Sequence, residues 1–76
     1  MISENNVSFE NGRYICYLTA KDENEAETLS IQALIPARTY SLTGEVTYCD
    51  KTIKVDTESL DVTIRVANLI LNSMTN

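Results

Sequence analysis

The residues that could carry chemistry are few, and their types and spacing argue against catalysis. The chain contains no histidine, which removes the commonest general base and the usual partner of a serine or cysteine nucleophile. Its two cysteines, Cys16 and Cys49, cannot make a structural zinc site without further ligands. No glycine-rich phosphate-binding loop is present. We therefore predict a protein without enzymatic activity, cofactor or metal ion.

Carboxylates are the remaining candidates for chemistry. Glu23 and Glu27 are spaced to share one face of a helix, but acidic residues at a helix start usually interact with the helix dipole. Asp50, Asp56 and Glu58 could collect a divalent cation, although their spacing does not match an EF-hand loop. General acid–base catalysis also needs a shielded pocket, which these spacings do not indicate.

Charge is distributed unevenly along the 76 residues. The net charge is −5, and residues 1–37 carry −4 of it, from six acidic and two basic side chains. Nucleic-acid-binding surfaces need clustered Lys and Arg, and the six basic residues here are scattered, with a local patch at most around Lys51 and Lys54. The charge therefore favours a protein partner with a basic surface over direct binding to nucleic acid.

The N-terminal residues and the hydropathy of the chain indicate a cellular location. Nothing at the N-terminus resembles a signal peptide, and no stretch approaches the roughly 20 apolar residues of a membrane-spanning helix. We therefore expect a cytoplasmic protein with reduced thiols and no membrane contact. Cys16 and Cys49 are then small buried side chains, with a disulfide between them as the alternative.

The strongest local signal is Asn11-Gly12, which stands between two runs of alternating apolar residues. A type I′ hairpin turn needs positive φ at both central positions, and this dipeptide accepts that conformation. Strands are therefore predicted over residues 7–10 and 13–18, in a register that pairs Phe9 with Tyr14.

The second of these strands is apolar on both faces. In the predicted register Ile15 and Tyr17 lie on the face opposite the core, beside an opposite-charge pair between Glu10 and Arg13. Either the strand is central in the sheet or its second face meets another surface. Ile15, Tyr17 and Glu10 are accordingly candidate partner-binding residues.

A helix with an acidic start follows. Asp22 is a candidate N-cap, Glu25 stands where a capping box needs it, and the helix should span residues 23–35 and end before Pro36. The acidic residues at this start are Asp22, Glu23, Glu25 and Glu27. They either interact only with the helix dipole or form an anionic surface that engages a basic partner.

The second half repeats the pattern with weaker turn chemistry. Residues 46–49 and 52–55 alternate around Asp50-Lys51, in a register that pairs Tyr48 with Ile53. Residues 38–42 alternate weakly and are a candidate fifth strand at the sheet edge.

The last predicted helix covers residues 58–73 and is capped by Asp56 or Thr57, although the alternation within 60–67 would also suit a strand. Its core stripe is predicted to be Leu60, Ile64, Ala67, Leu71 and Met74. A second apolar stripe consists of Val62, Val66 and Leu69. A domain of this size cannot easily bury both stripes, so this second stripe is predicted to mediate self-association into a homodimer. The alternative is that both stripes are buried.

Together these patterns predict one α+β domain over residues 1–76, with residues 1–6 frayed. The order is ββαββα: two hairpins form a small antiparallel sheet of four to five strands, and two helices pack on one face. The helix starts at Asp22 and Asp56 correspond in the two halves. This similarity arises either from duplication or from convergence of the same binary pattern.

No motif identifies a family. In size, acidity and small α+β architecture the chain resembles small phage-encoded inhibitor proteins, including some anti-CRISPR proteins. That resemblance implies a non-enzymatic inhibitor or regulator that occupies a partner's surface. The alternative is a structural or assembly subunit that self-associates through an apolar helix face.

Overall fold

The computed structural model describes residues 1–39 and 46–74, and the side chains of residues 1–32 and 48–74. Its elements are a 3-10 turn (Glu4–Asn6), β1 (Ser8–Glu10), β2 (Arg13–Thr19), α1 (Glu23–Thr39), β3 (Val46–Cys49), β4 (Thr52–Thr57) and α2 (Leu60–Met74). The predicted α+β architecture is confirmed, with four strands in one antiparallel sheet and the order ββαββα. The region 60–67 is helical.

The four strands lie in the order β1-β2-β4-β3, so each hairpin contributes one edge strand and one central strand. The predicted registers are confirmed at Phe9 opposite Tyr14 and at Tyr48 opposite Ile53. Of the two alternatives for the apolar second face of β2, the structure shows a central strand, since β2 pairs with β4 as well as with β1.

Both hairpin turns place their central residues at positive φ. The values are 53° for Asn11 and 78° for Gly12, against 48° for Asp50 and 70° for Lys51. Asn and Gly accept this conformation readily, whereas Lys adopts it at a steric cost. The second turn thus keeps the geometry of the first with less suitable residues.

Both helices pack on the same face of the sheet. The buried core cluster consists of Cys16, Leu18 and Ala20 from β2 and its end, Ile53 and Val55 from β4, Ala26 and Leu29 from α1, and Val66, Ala67 and Ile70 from α2. Burial of this apolar surface is the main force that holds the small domain together.

The two hairpins are related by an approximate twofold axis, whereas the helices are placed differently, α1 mainly over β3 and α2 over β2 and β4. Because the turns at Asn11-Gly12 and Asp50-Lys51 correspond, Cys16 corresponds to Val55, and these two residues pair with each other between the central strands. The axis passes between them, so the similarity of the two hairpins in sequence pattern is matched by a structural equivalence.

The helix starts correspond too, but through a different residue from the one predicted. The Asp22 carbonyl accepts a 3.1 Å hydrogen bond from the Ala26 N–H, and the Ser59 carbonyl accepts one of 3.0 Å from the Thr63 N–H. Asp22 therefore corresponds to Ser59 and not to Asp56, which lies in β4. The equivalent buried positions are Ala26 and Thr63, Leu29 and Val66, and Ser30 and Ala67.

The first helix is longer than predicted. It continues through Pro36 to Thr39, although a proline inside a helix removes one backbone hydrogen bond and crowds the carbonyl four residues earlier. The candidate fifth strand over 38–42 is wrong at its start, since Arg38 and Thr39 belong to α1. Its remaining residues lie outside the described part of the chain.

The second helix begins later than predicted and turns a different face to the core. Its N-cap is Ser59, whose Oγ accepts a hydrogen bond from the Val62 N–H, because Asp56 and Thr57 remain in β4. The fully buried residues of α2 are Thr63, Val66, Ala67 and Ile70. The predicted core stripe is therefore wrong except at Ala67, while Leu60, Ile64, Leu71 and Met74 are half-buried beside it.

A network of buried hydroxyl groups joins the start of α2 to the sheet. Thr63 Oγ1 donates to the Tyr14 carbonyl at 3.1 Å and lies 2.8 Å from Thr57 Oγ1. Thr57 Oγ1 also accepts from the Ser59 N–H at 2.9 Å. These contacts satisfy polar groups that would otherwise be costly to bury, and they fix the direction in which α2 leaves β4.

The N-terminal segment, predicted to fray, is hydrogen-bonded to α2. The Ile2 N–H donates to Asn68 Oδ1 at 2.8 Å, and Asn68 Nδ2 donates to the Ile2 carbonyl at 3.1 Å. Ser3 and Asn6 bracket the 3-10 turn with mutual hydrogen bonds. The chain ahead of β1 therefore leaves the line of the sheet and crosses to α2.

Candidate functional site

Two of the four acidic residues at the start of α1 form its N-terminal cap. Asp22 Oδ1 accepts a 2.8 Å hydrogen bond from the Glu25 N–H. The Glu25 carboxylate reaches the residue before the cap. It accepts a 3.0 Å hydrogen bond from the Lys21 N–H and lies 4.0 Å from Lys21 Nζ. The N-cap predicted at Asp22 is present, whereas Glu25 accepts from the Lys21 N–H and not from the Asp22 N–H that a capping box needs. Both carboxylates are therefore partly occupied.

The other two acidic residues point into solvent. Glu23 and Glu27 are exposed and stand four residues apart, a spacing that places both on one face of α1. Within the described residues neither takes part in an ion pair. They are the free negative charges of this helix start.

Glu10 lies away from this acidic group. It pairs with Arg13 at the beginning of β2, whereas α1 follows the end of that strand at Thr19. Six residue steps of about 3.3 Å separate the two ends by roughly 20 Å. The fold therefore does not bring Glu10 to the start of α1.

On the open face of the sheet, Ile15 and Tyr17 differ in exposure. Ile15 is only 7% exposed, whereas Tyr17 is 59% exposed. Ile15 has Ser8 of β1 on one side and Asp56 of β4 on the other, while Tyr17 pairs with Lys54 of β4 and has no β1 residue beside it. The expectation that Ile15 remains an uncovered apolar side chain is therefore wrong.

The same face carries a network of ion pairs. The Arg13 guanidinium binds the Asp56 carboxylate, the Asp56 carbonyl at 3.1 Å and the Glu58 carboxylate at 3.4 Å. Lys54 Nζ lies 3.8 Å from the second Asp56 oxygen. Arg13 thus joins the end of β4 to the beginning of β2, where the sequence predicts a pair with Glu10.

The stripe predicted for self-association is largely covered. Val66 is completely buried, and Val62 packs partly against the core, because α2 turns this side toward the rest of the domain. Only Leu69, at 42% exposure, presents a large apolar surface. The prediction that Val62, Val66 and Leu69 form one exposed stripe is therefore wrong.

The two cysteines lie on opposite faces of the sheet. Cys16 belongs to the core, and burial raises the pKa of its thiol. Cys49 is exposed and shares the open face with Lys54. Both thiols are free, so a disulfide between them within one molecule is excluded.

The carboxylates considered for a cation do not meet. Asp50 lies in the β3–β4 turn and Asp56 near the other end of β4, where Arg13 binds it. Within residues 1–39 and 46–74, no group of three or more carboxylate or cysteine side chains is arranged to hold a metal ion. None of the helices described there is long and apolar enough to cross a bilayer.

One feature missed by sequence reasoning is the unequal length of the first two strands. β1 pairs with Arg13, Tyr14 and Ile15 only, and β2 continues to Thr19 without it. The polar start of the chain was a signal for this, since Ser3 to Asn6 contains no alternating apolar residues.

Comparisons with protein-family models, with curated proteins and with solved structures find no significant match to this chain.

Proposed function

We propose that this protein is a non-enzymatic binding module that inhibits or regulates a partner protein by occupying a basic surface. The observation that carries the proposal is the pair of exposed carboxylates at Glu23 and Glu27, which form no ion pair with any side chain that the structure describes. They stand beside the cap carboxylates of Asp22 and Glu25, so negative charge accumulates at one end of α1.

The arrangement of the basic residues supports the same proposal. Lys21 lies beside Glu25, Arg13 and Lys54 bind Asp56, and Arg65 binds Asp61 at 2.9 Å. Four of the basic side chains that the structure describes thus lie beside carboxylates, whereas Glu23 and Glu27 make no ion pair with any of them. A surface of this kind attracts basic partners over long range and repels nucleic acid.

Both the inhibitor function and the intracellular location belong to this proposal. A reducing compartment would keep the exposed Cys49 thiol free. Occupation of a basic groove on a partner is the action implied by the resemblance to small phage inhibitors. It requires no chemistry from this chain.

The assembly alternative has less support than the sequence pattern indicates. With Val66 in the core and Val62 half-buried, the stripe reduces to Leu69 on α2. Singly exposed apolar side chains are ordinary on monomeric proteins. Sedimentation at high concentration tests self-association directly, and a dimer that Leu69→Ala dissociates would restore the alternative.

Affinity capture from the native host tests the proposed function. The natural chain and a Glu23→Lys/Glu27→Lys variant serve as bait, and the co-purifying proteins are quantified. We expect a protein that the natural chain retains and the variant loses, with retention weaker at high salt because screening shortens electrostatic attraction.

Glu10→Lys, compared with the single variant Glu23→Lys, provides the matched control, because each reverses one carboxylate and Glu10 lies at the other end of β2. Its effect also tests whether Glu10 belongs to the partner surface. A partner retained equally by the natural chain and by the Glu23→Lys/Glu27→Lys variant would refute the electrostatic proposal.

A further inference from the structure

The side of β2 that faces β1 is only partly paired. In an antiparallel sheet, successive residues direct their N–H and C=O groups to alternate sides. The pair that closes the two-residue turn and the pair two residues further, Ser8 with Ile15, both face across the β1–β2 ladder. Tyr17 and Thr19 direct their backbone groups to the same side, beyond the first residue of β1.

The other side of β2 confirms this alternation. The Ala20 N–H donates to the Lys51 carbonyl at 2.7 Å, so the even-numbered residues at the end of β2 face β4. The backbone groups of Tyr17 and Thr19 therefore point away from β4, and both residues are exposed. Across residues 1–39 and 46–74, no strand lies beside them on that side.

The chain ahead of β1 has the register to fill this edge. If β1 continued in its observed register, Asn6 would lie opposite Tyr17 and Glu4 opposite Thr19. Each of these pairs could exchange two backbone hydrogen bonds, as Ser8 does with its own partner. The polar side chains of Asn6 and Glu4 would lie on the open face of the sheet, where solvent reaches them.

In the structure these residues lie elsewhere. The Val7 N–H donates to the Glu4 carbonyl at 3.2 Å in the 3-10 turn. Ile2 is held by Asn68 of α2 through hydrogen bonds of 2.8 and 3.1 Å. In an extended strand, residues three apart are separated by roughly 10 Å, so the Val7–Glu4 hydrogen bond cannot exist there. The 3-10 turn and a longer β1 therefore exclude each other.

In its observed position the N-terminal segment lies on an apolar face of α2. Ile64 and Leu71 stand one turn before and one turn after Asn68, so they share its face of the helix, and both are half-buried. Ile2 packs against the core beside them. Straightening of the segment would uncover this helix face while it filled the edge of β2.

We propose that residues 1–7 are a conformational switch with two positions: docked on α2, as observed, or extended along β2 as a longer β1. The docked position has two hydrogen bonds to Asn68 and the apolar contact of Ile2, whereas the extended position has up to four solvent-exposed backbone hydrogen bonds. Because each such bond contributes little net free energy, the two positions are close in stability and both are populated.

The switch determines which surface the domain presents. The docked form leaves the strand edge at Tyr17 and Thr19 open, and the extended form opens the α2 face at Ile64 and Leu71. This inference does not depend on the proposed function, and its test needs only the chain itself.

Release of the docked position is the first test. Asn68 lies outside the buried core cluster, and Asn68→Ala removes both hydrogen bonds to Ile2. We expect the ratio of extended to docked molecules to rise at least about fivefold, because two hydrogen bonds are lost from one position only. In NMR hydrogen exchange, the Ile2 amide should then exchange faster and the Tyr17 and Thr19 amides more slowly. Faster exchange at Ile2 with no change at Tyr17 and Thr19 would mean that the segment only frays, and would overturn the proposal.

A proline at residue 4 blocks the extended position alone. Glu4 begins the 3-10 turn, where the first N–H has no partner within the turn and proline is well accommodated. Ser3 already has the extended backbone that suits a residue before proline, with φ −123° and ψ 177°. In the extended position the Glu4 N–H faces Thr19, so Glu4→Pro removes a hydrogen bond there. Glu4→Ala is the matched control, since it loses the same charge and keeps the N–H.

The two substitutions are compared in the Asn68→Ala background. We expect Glu4→Pro to return the Tyr17 and Thr19 amides to the exchange rates of the natural chain, and Glu4→Ala to leave them slow. Equal exchange in the two double variants would contradict the switch. If Asn68→Ala fails to fold, Ile2→Ser releases the segment without touching the helix, and unchanged exchange at Tyr17 and Thr19 would again overturn the proposal.

Discussion

The two hairpins share one geometry, and the two halves of the chain differ in how their polar groups are used. In the second half, Thr57, Ser59 and Thr63 form buried hydrogen bonds, and Asp56 is bound by Arg13. In the first half, the corresponding helix start is an exposed cap at Asp22, and the strand edge is open. The comparison indicates that the second half supports the fold with its polar groups, while the first leaves them available to a partner.

The largest expected effect concerns the equivalent core positions Leu29 and Val66. Alanine at either site should lower the free energy of unfolding by roughly 2 kcal/mol or more, because both side chains are buried and would leave a cavity. Urea unfolding measures the loss. Leu69→Ala is the control and should cost much less. A small loss at Val66 would mean that this side chain contributes less to the core than Leu29 does.

The next largest effect on the free energy of unfolding is expected from the buried hydroxyl network of Thr57 and Thr63. Thr63→Val keeps the shape of the side chain but leaves the Tyr14 carbonyl and the Thr57 hydroxyl without this partner. We expect a loss of about 1–3 kcal/mol in urea unfolding. Thr28→Val, on the exposed face of α1, should change stability little. A neutral Thr63→Val would show that this network does not distinguish the second half from the first.

For the two helix caps we expect the first half to contribute more to stability than the second. Asp22→Ala removes a 2.8 Å hydrogen bond and a charge that favours the helix dipole, whereas Ser59→Ala removes one of 3.3 Å. We expect Asp22→Ala to cost about 1 kcal/mol, and high salt to reduce that cost. Ser59→Ala should cost less. Thermal unfolding of the two variants at low and high salt makes this measurement, and a larger loss for Ser59→Ala would reverse the comparison.

The two turns should give the smallest effects, and these are of opposite sign. Gly12→Ala places a side chain at a φ of 78° without meeting any atom within 4 Å, so backbone strain alone should cost about 1 kcal/mol. Asp50→Asn/Lys51→Gly gives the second turn the residues of the first and should stabilise by up to about 1 kcal/mol. Chemical denaturation tests both, and a destabilised double variant would show that Asp50 or Lys51 has another structural role.

Local sequence signals predict much of this molecule, because several of its features depend on neighbours in the chain. The Asn11-Gly12 turn and its register, the second register at Tyr48 and Ile53, and the cap at Asp22 were all predictable from turn and capping chemistry. The rotation of α2 was not, since its two apolar stripes are nearly equivalent and only packing on the sheet selects one. The continuation of α1 through Pro36 similarly overrides a local preference.

The candidate site divides in the same way. The acidic residues Asp22, Glu23, Glu25 and Glu27 could be identified from the sequence, but only the hydrogen bonds separate the two in the cap from the two that are free. The separation of Glu10 from this group and the burial of Ile15 depend on which strands lie on either side of β2. No pattern within one strand contains that information.

The sequence by itself therefore determined the hairpins, the acidic helix start and the fold class, because these follow from turn residues, caps and alternation over a few positions. The tertiary structure alone decided which chemical groups remain free. Arg13 binds the Asp56 carbonyl at the end of β4, Asn68 holds the N-terminal segment against α2, and β1 pairs with β2 only as far as Ile15, short of Tyr17 and Thr19. Each of these outcomes depends on contacts between residues far apart in the chain.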